Sequence, residues 1–218
     1  GVVSALNVAC RAVGQPGDGM LVQPPVYPPF LSAPANHGLI LQTAELTCIR
    51  HGQTMHYEID YDAFEAAITP GTRLFVLCHP HNPTGDEYSH EQLIRLAEIC
   101  LRHDVIICSD EIHCDLLLDD TQHTPMAALS PEIADRCITL MAPSKTFNIP
   151  GLGCSFAIVP NADLRERLCQ ASAGIVPLLN SSGLIAALAA YRDGEEWLAA
   201  LRQYLTANRD VLVSFIAE

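Results

Sequence analysis

Short apolar runs alternate along the chain with longer segments in which apolar residues recur every three or four positions. The first pattern is typical of buried β-strands and the second of amphipathic helices. The predicted strands are residues 20–22, 39–41, 73–78, 105–108, 137–141 and 154–159. The predicted helices are residues 2–13, 28–36, 60–68, 89–103, 162–173, 180–191 and 194–216. Residues 43–58 are polar and irregular, and we predict no regular element there.

Fully apolar strands separated by helices indicate an α/β fold, with a mainly parallel sheet covered by helices on both faces. In such sheets, ligands bind beyond the carboxyl ends of the strands. Polar motifs follow three of the predicted strands, at residues 79–83, 110–113 and 144–145. Ser89 and Gln92 have the spacing of a capping box at the start of a helix. The pattern therefore predicts a site at the strand ends.

The composition indicates a globular protein and argues against some kinds of partner. The chain has 218 residues, of which 49% are hydrophobic and 17% charged, as in a globular protein. Its formal net charge of −13 argues against nucleic acid and anionic membrane as partners. It has no run of 18 apolar residues, so we expect no membrane-spanning helix. Nine cysteines without a Cys-x-x-Cys pair indicate a reducing, cytoplasmic compartment.

Lys145 is the only lysine among the twelve lysine and arginine residues. It lies among small and apolar residues, just after the strand predicted at 137–141. Arginine stays protonated in proteins, whereas a lysine in an apolar pocket can lose its proton and attack a carbonyl carbon. Taken alone, the residue leaves open the alternative of a surface lysine kept by chance.

Asn82, Asp110 and Lys145 each follow a predicted strand and together offer an amide, a carboxylate and an amine. Pyridoxal phosphate needs these groups: an amine for a Schiff base, a carboxylate for the protonated ring nitrogen and an amide for the ring oxygen. Taken singly, Asn82 also suits a turn, and Asp110 also suits a helix N-cap. Tyr27 and His113, met alone, are more often packing residues.

Three motifs, in this order, resemble those of the fold-type I aminotransferase superfamily. They are residues 81–85 (His-Asn-Pro-Thr-Gly), 109–113 (Ser-Asp-Glu-Ile-His) and 142–152 (Ala-Pro-Ser-Lys-Thr-Phe-Asn-Ile-Pro-Gly-Leu). With residues 23–30, they look most like the carbon–sulfur lyase branch, the cystathionine β-lyase-like enzymes. The resemblance spans essentially the whole chain. It implies the large domain of a pyridoxal-phosphate-dependent transferase, an α/β fold with a mainly parallel, seven-stranded sheet between helices.

The resemblance also implies that residues 1–218 are the cofactor-binding large domain of a longer enzyme. An N-terminal segment and most or all of a C-terminal small domain are expected outside this chain, together with the arginine for the substrate carboxylate. A start at Gly1 without methionine is consistent with that expectation. Because family members place the site at a subunit interface, we also expect a homodimer.

The resemblance assigns roles to individual residues. Lys145 is expected to bind pyridoxal 5′-phosphate as a Schiff base and then to move the proton of the substrate α-carbon. Asp110 is expected to face the pyridinium nitrogen, and Asn82 the ring oxygen. The other expected cofactor contacts are His113 near that oxygen, Tyr27 on the ring face, and Gly1, Val2 and Ser144 at the phosphate. Ala142 and Gly153 depart from the family pattern, which has a phosphate-binding serine and arginine there.

The favoured activity is α,β-elimination from an amino-acid substrate, a cysteine S-conjugate such as cystathionine, to give a thiol, pyruvate and ammonia. An aminotransferase is the first alternative, because it uses the same cofactor and the same α-proton. The second alternative is a cofactor-binding or regulatory module without turnover.

Two other kinds of site are disfavoured. Candidate zinc ligands occur at Cys78, His79 and His81 and at residues 110–113, but no Cys-x-x-Cys or His-Glu-x-x-His frame is present. We therefore expect no metal. A Ser/His/Asp hydrolase lacks its Gly-x-Ser-x-Gly motif.

Overall fold

The computed structural model describes residues 1–118 and 121–217. The strands in these residues are β1 (Gly19–Val22), β2 (Ile40–Thr43), β3 (Thr47–His51), β4 (Thr54–Glu58), β5 (Thr72–Cys78), β6 (Ile106–Asp110), β7 (Cys137–Met141) and β8 (Phe156–Ile158). The α-helices are α1 (Val2–Val13), α2 (Pro28–Ser32), α3 (Tyr61–Ala66), α4 (His90–Arg102), α5 (Pro131–Asp135), α6 (Pro143–Thr146), α7 (Ala162–Ser172), α8 (Ser181–Asp193) and α9 (Glu195–Ala217). Short 3₁₀ turns occupy Pro34–His37, Met126–Ala128 and Pro150–Leu152.

Six strands form one sheet, in the order β2-β1-β5-β6-β7-β8. The first five in that order run parallel, and β8 pairs antiparallel with β7. The prediction of an α/β fold with a mainly parallel sheet is therefore confirmed. The described residues supply six strands to this sheet, one fewer than the seven that the resemblance implies.

The central strands β1, β5, β6 and β7 are buried on both faces, as their apolar sequences predict. Side chains of β5 alternate between the faces: Leu74, Val76 and Cys78 enter one apolar cluster, and Phe75 and Leu77 enter another. The first cluster also contains residues of α1, and the second contains residues of α4. Each fully buried leucine or phenylalanine stabilises the fold by about 2 kcal/mol. Helices therefore cover both sides of the strands that carry the site.

The first helix is placed by its connection to the sheet. α1 packs against the central strands and reaches β1 through the short turn at residues 14–18. Because it runs opposite to the parallel strands, its N-terminus lies at the edge of the sheet where those strands end.

The predicted capping box opens α4. The Ser89 hydroxyl accepts a 3.2 Å hydrogen bond from the Gln92 amide, and the Gln92 side chain accepts a 2.8 Å bond from the Ser89 amide. Both bonds satisfy amides that the first turn of a helix leaves unpaired. The start of the helix is thus encoded locally.

Two sequence predictions need correction. Residues 43–58 are not irregular, because β3 and β4 form an antiparallel hairpin apart from the main sheet, with Gly52 in a left-handed conformation at its turn. Most side chains of the hairpin are exposed, so it lacks the apolar run by which buried strands are recognised. The helix predicted at 28–36 ends at Ser32, and a 3₁₀ turn follows from Pro34, a residue without an amide hydrogen.

Two further observations concern the described residues. None of the helices among them has both the length and the apolar character needed to cross a membrane. All nine cysteines are free thiols, and six of them are buried.

Candidate active site

The ends of β5, β6 and β7 meet at one edge of the sheet. Cys78, the last residue of β5, lies opposite Asp110 in the ladder with β6, and Asp110 lies opposite Leu140 of β7. The segment after β5 carries Asn82, and the segment after β7 carries Lys145. The three segments therefore leave the sheet side by side, as their positions after strands predict.

Asp110 ends β6 and is buried, with 7% of its surface exposed. Its Oδ1 accepts a 3.2 Å hydrogen bond from the Ile112 amide. This bond closes a turn at residues 112–115, so Asp110 does not act as a helix N-cap. Burial raises the pKa of Asp110 to about 7, the Ile112 amide opposes the rise, and the neighbouring Glu111 carboxylate adds to it. None of these groups is a cation, so none of them stabilises the ionised Asp110 carboxylate by charge. A positively charged ligand group bound at this strand end would do so.

The loop that carries Asn82 is anchored by the residues around it. The Asn82 amide donates to the Cys78 sulfur at 3.3 Å. Nε2 of the buried His81 lies 2.8 Å from the Pro25 carbonyl oxygen, and Nδ1 lies 3.0 Å from the Tyr88 hydroxyl. Since a carbonyl only accepts, Nε2 is the donor, and burial lowers the pKa of His81, consistent with a neutral ring. The loop is thus fixed to the segment that follows β1.

Asn82 and His113 line one cavity of about 640 Å³ beyond the strand ends, and Glu87 is part of its wall. That volume lies within the range of small-molecule sites. Gly1 lines a different cavity of about 400 Å³, together with Phe156. Two of the predicted cofactor contacts therefore share a cavity, and a third faces a separate one.

Lys145 lies in α6, directly after β7, and its side chain is exposed. Pro143 and Thr146 of the same short helix are buried. The buried environment that the sequence indicates therefore applies to the neighbours of Lys145. The lysine side chain itself is exposed. Burial lowers the pKa of His113, and the positive charge of Lys145 lowers it further, so the two side chains lie close together.

Tyr27 and Ser144 lie at the same edge of the sheet. Tyr27 follows β1, is 39% exposed, and meets the ring of Phe30 edge-on at a centroid distance of 6.3 Å. One side of its ring therefore packs and the rest stays accessible. Ser144 is half-buried and directly precedes Lys145.

Gly1 is the N-cap residue of α1, and Val2 is the first residue of that helix. Gly1 is exposed, and its carbonyl accepts hydrogen bonds from the amides of Ser4 and Ala5 at 3.1 and 3.2 Å. The Val2 side chain is buried in the core, so only its backbone amide can serve a ligand. A helix N-terminus of this kind offers free amides and a positive dipole end to an anion.

The structure adds contacts at the site that the sequence does not predict. Glu111 is 1% exposed and contacts His123, which also contacts Glu87. The Thr146 hydroxyl donates to Asp115. The adjacency of Glu111 to Asp110 was the only signal available in the sequence, because the other contacts join separate loops.

The side chains that could hold a metal ion in the structure are mostly not the ones that the sequence suggests. Within the described residues, one group of side chains could hold a metal ion: His79, Glu87 and His123 have ligand atoms within 4.8 Å of one another. Only His79 belongs to the ligand set considered from the sequence.

The chain is similar to known proteins over its whole length. The family described as aminotransferase class I and II matches residues 1–218. The chain is 41% identical to the cystathionine beta-lyase PatB of Bacillus subtilis, over 100% of this chain and 56% of that protein.

Two solved structures are also similar to the chain. A pyridoxal-phosphate-bound putative aminotransferase from Clostridium difficile 630 superimposes with a TM-score of 0.94 and 37% identity, over 99% of this chain and 55% of that one. Cystalysin from Treponema denticola, whose structure contains pyridoxal 5′-phosphate, superimposes with a TM-score of 0.93 and 32% identity, over 100% of this chain and 55% of that one. The chain spans about half the length of the relatives that it matches.

Proposed function

The chain belongs to the class I and II aminotransferase family, and from that premise we propose that it binds pyridoxal 5′-phosphate in a carbon–sulfur β-lyase. The proposed reaction converts a cysteine S-conjugate, such as cystathionine, and water into a thiol, pyruvate and ammonia. The observation that carries the proposal is the buried Asp110 carboxylate at the end of β6, on the strand next to the one that leads to Lys145. The identity to a cystathionine beta-lyase supports the choice of reaction.

The residues at the strand ends fit this cofactor. Asp110 would face the protonated ring nitrogen, which supplies the cation that its buried carboxylate lacks. Lys145, exposed and close to His113, would hold the cofactor through its amine. Asn82 would donate its side-chain amide to the ring oxygen, with His113 on the same cavity wall.

The remaining proposed contacts with the cofactor follow from where each residue lies in the fold. Tyr27 would lie against the face of the cofactor ring with the part of its own ring that stays exposed. The free amides at Gly1 and Val2, and the Ser144 hydroxyl, would bind the phosphate group.

The cofactor, when bound, supplies an electron sink for the charge left on the substrate α-carbon after its proton is removed. Lys145 would take that proton on its amine and return it later in the cycle. His113, whose pKa is lowered by burial and by the Lys145 charge, would stay neutral beside it. A neutral neighbour adds no charge repulsion when the Lys145 amine gains its proton. Asp110 would stay ionised and keep the ring nitrogen protonated.

An aminotransferase is the second candidate, favoured by the likeness to the putative aminotransferase from Clostridium difficile 630. It would use Lys145 and Asp110 in the same roles. The two reactions differ in the need for an acceptor: elimination yields pyruvate without a keto acid, whereas transamination stops unless one is supplied.

We further propose that the protein works as a homodimer in the cytoplasm. Nine free thiols among the described residues suit a reducing compartment. Sedimentation of the full-length protein would test the assembly, and a monomer at all concentrations would contradict it.

The decisive experiment is an absorbance spectrum of the full-length protein with pyridoxal phosphate, followed by a pyruvate assay with cystathionine. We expect a visible band that Lys145→Ala abolishes, and pyruvate release without a keto acid. Activity that appears only when a keto acid is added would support the aminotransferase. A band without either activity would support a binding or regulatory module, and the absence of a band would overturn the cofactor assignment.

A further inference from the structure

A chain of titratable side chains connects two of the loops at the site. His123 lies between two carboxylates: Nε2 is 2.9 Å from Oε2 of Glu111, and Nδ1 is 2.9 Å from Oε1 of Glu87. The ring of His79 packs on His123 at a centroid distance of 4.5 Å. All four side chains are buried or nearly so.

The hydrogen bonds indicate which of these groups is charged. Oε1 of Glu111 also accepts from the Ser109 hydroxyl at 2.8 Å and from the Met126 amide at 3.1 Å. Oε1 is thus occupied as an acceptor, and the proton between Oε2 and Nε2 belongs to the imidazole, the more basic of the two groups, so Nε2 of His123 is a donor. Nδ1 faces the second carboxylate, and a proton shared between an imidazole and a carboxyl group favours the imidazole, which has the higher pKa. His123 is therefore an imidazolium.

Electrostatics agree with this assignment. Burial alone would lower the pKa of His123, but the hydrogen bonds and charges of Glu111 and Glu87 outweigh it and raise the pKa to about 9. The other titratable groups nearby are His79 at the end of β5, Asp110 at the end of β6, and Cys137 of β7, which feels the charge of Glu111.

A metal ion is the competing occupant of His79, Glu87 and His123. Coordination requires a neutral imidazole with a free lone pair about 2.0 Å from the ion. Both nitrogens of His123 already face carboxylate oxygens, and Nε2 of His79 lies 3.1 Å from the Thr124 carbonyl oxygen. A metal would have to break one of the His123 bonds, so the imidazolium is the better account of the geometry.

The two carboxylates belong to the two loops that carry the proposed cofactor contacts. Glu111 directly follows Asp110, and Glu87 lies in the same loop as Asn82. We propose that His123 is a positioning residue that links Glu87 to Glu111 through its two ring nitrogens, a link that we call the tie. The tie holds the Asn82 loop and the Asp110 strand end in the relative positions that the cofactor needs. This inference rests on the proposed function, because it assigns the tie a role in holding pyridoxal phosphate.

The test uses the full-length protein and His123→Gln, which keeps a polar side chain but lacks the positive charge and the two separate N–H groups of the imidazolium. Glu87→Gln removes one end of the tie and serves as a second variant. His103→Gln is the matched control, because His103 also lies 2.9 Å from a glutamate, Glu65, but follows α4 near the start of β6, at the opposite edge of the sheet.

Two readouts are needed. NMR titration of the apoprotein should show His123 protonated well above pH 6.5, and Glu87→Gln should lower its pKa. Affinity for pyridoxal phosphate should weaken about tenfold in His123→Gln and in Glu87→Gln, with no further loss in the double variant, since both break one tie. The His103→Gln protein should bind as the wild type does.

Three results would overturn the inference. These are a His123 that titrates near pH 6.5, a His123→Gln protein that binds the cofactor as tightly as the wild type, or stoichiometric zinc in the purified protein. A wild-type protein that binds no pyridoxal phosphate would instead overturn the proposed function, and with it the role of the tie. Circular dichroism of both variants separates loss of the tie from loss of the fold.

Discussion

The buried hydroxyl of Thr146 donates a 2.9 Å hydrogen bond to Oδ2 of Asp115. This bond ties the helix that carries Lys145 to the segment that follows Asp110 and His113. The lysine is exposed, so its position depends on the anchoring of its neighbours rather than on a pocket around it.

We expect Thr146→Val to loosen that anchor. The variant should lose about 1 kcal/mol of unfolding free energy, because a buried hydrogen bond is removed and the Asp115 carboxylate loses a donor. Turnover of the holoenzyme should fall several-fold as Lys145 becomes less well placed. Chemical denaturation and steady-state kinetics measure the two effects. Thr146→Ser keeps the hydroxyl and should restore both, and a serine variant as impaired as the valine one would contradict this explanation.

Replacing Lys145 should abolish chemistry while leaving the fold intact. The side chain is exposed, so Lys145→Ala should change the melting temperature of the apoprotein very little. Turnover should fall by more than about 1,000-fold, because the group that moves the α-proton is gone. Lys145→Arg is the matched control: it keeps the positive charge but offers no amine for attachment, and we expect it to be equally inactive. An active arginine variant would show that charge alone suffices.

The buried Asp110 should make the apoprotein less stable as the pH rises. Its pKa is about 7 in the folded state against an ordinary value of 3.8, so the folded protein binds the extra proton between these values. Stability should therefore fall from about pH 4 to pH 7, by up to about 4 kcal/mol from this group. Asp110→Asn should remove that dependence and weaken cofactor binding. Urea titrations across this range measure it, and the exposed Asp62→Asn serves as control. Identical slopes in wild type and Asp110→Asn would refute the prediction.

His123 should act on stability in a higher pH range. Its pKa is raised from 6.5 to about 9 in the folded state, so its contribution is fully present below pH 6.5 and is lost as the pH rises through 9. We expect this loss to reach about 3 kcal/mol. Thermal melts of the apoprotein between pH 6 and 10 measure the change, which His123→Gln should remove. A wild-type melting temperature that stays constant over this range would contradict it.

The capping box should make a local contribution to the fold. Ser89→Ala removes the acceptor for the Gln92 amide and should cost about 1 kcal/mol of unfolding free energy. Ser182 is exposed within α8, so Ser182→Ala should change stability by less than about 0.5 kcal/mol. Equal losses in the two variants would mean that the cap is not what stabilises α4.

The central strands could be predicted because each is a short apolar run, and both of its faces are buried. The hairpin of β3 and β4 could not, since most of its side chains face solvent and its pairing depends on register rather than on apolar content. Asn82, Asp110 and Lys145 could be placed at one edge because parallel strands end together. The contacts of His123 could not, because they join side chains 12 and 36 residues apart in separate loops, and no periodicity connects them.

The strand order has a consequence for synthesis on the ribosome. β1 pairs with β2 on one side and with β5 on the other, and β5 begins only at Thr72. Until β5, α4 and β6 have emerged, α1 has no complete sheet to cover, and its apolar face stays in water. Parallel pairing between distant segments is slow compared with helix formation. We therefore expect the segment from α1 to β4 to expose apolar surface, and to be open to chaperone binding, until residue 110 has left the exit tunnel.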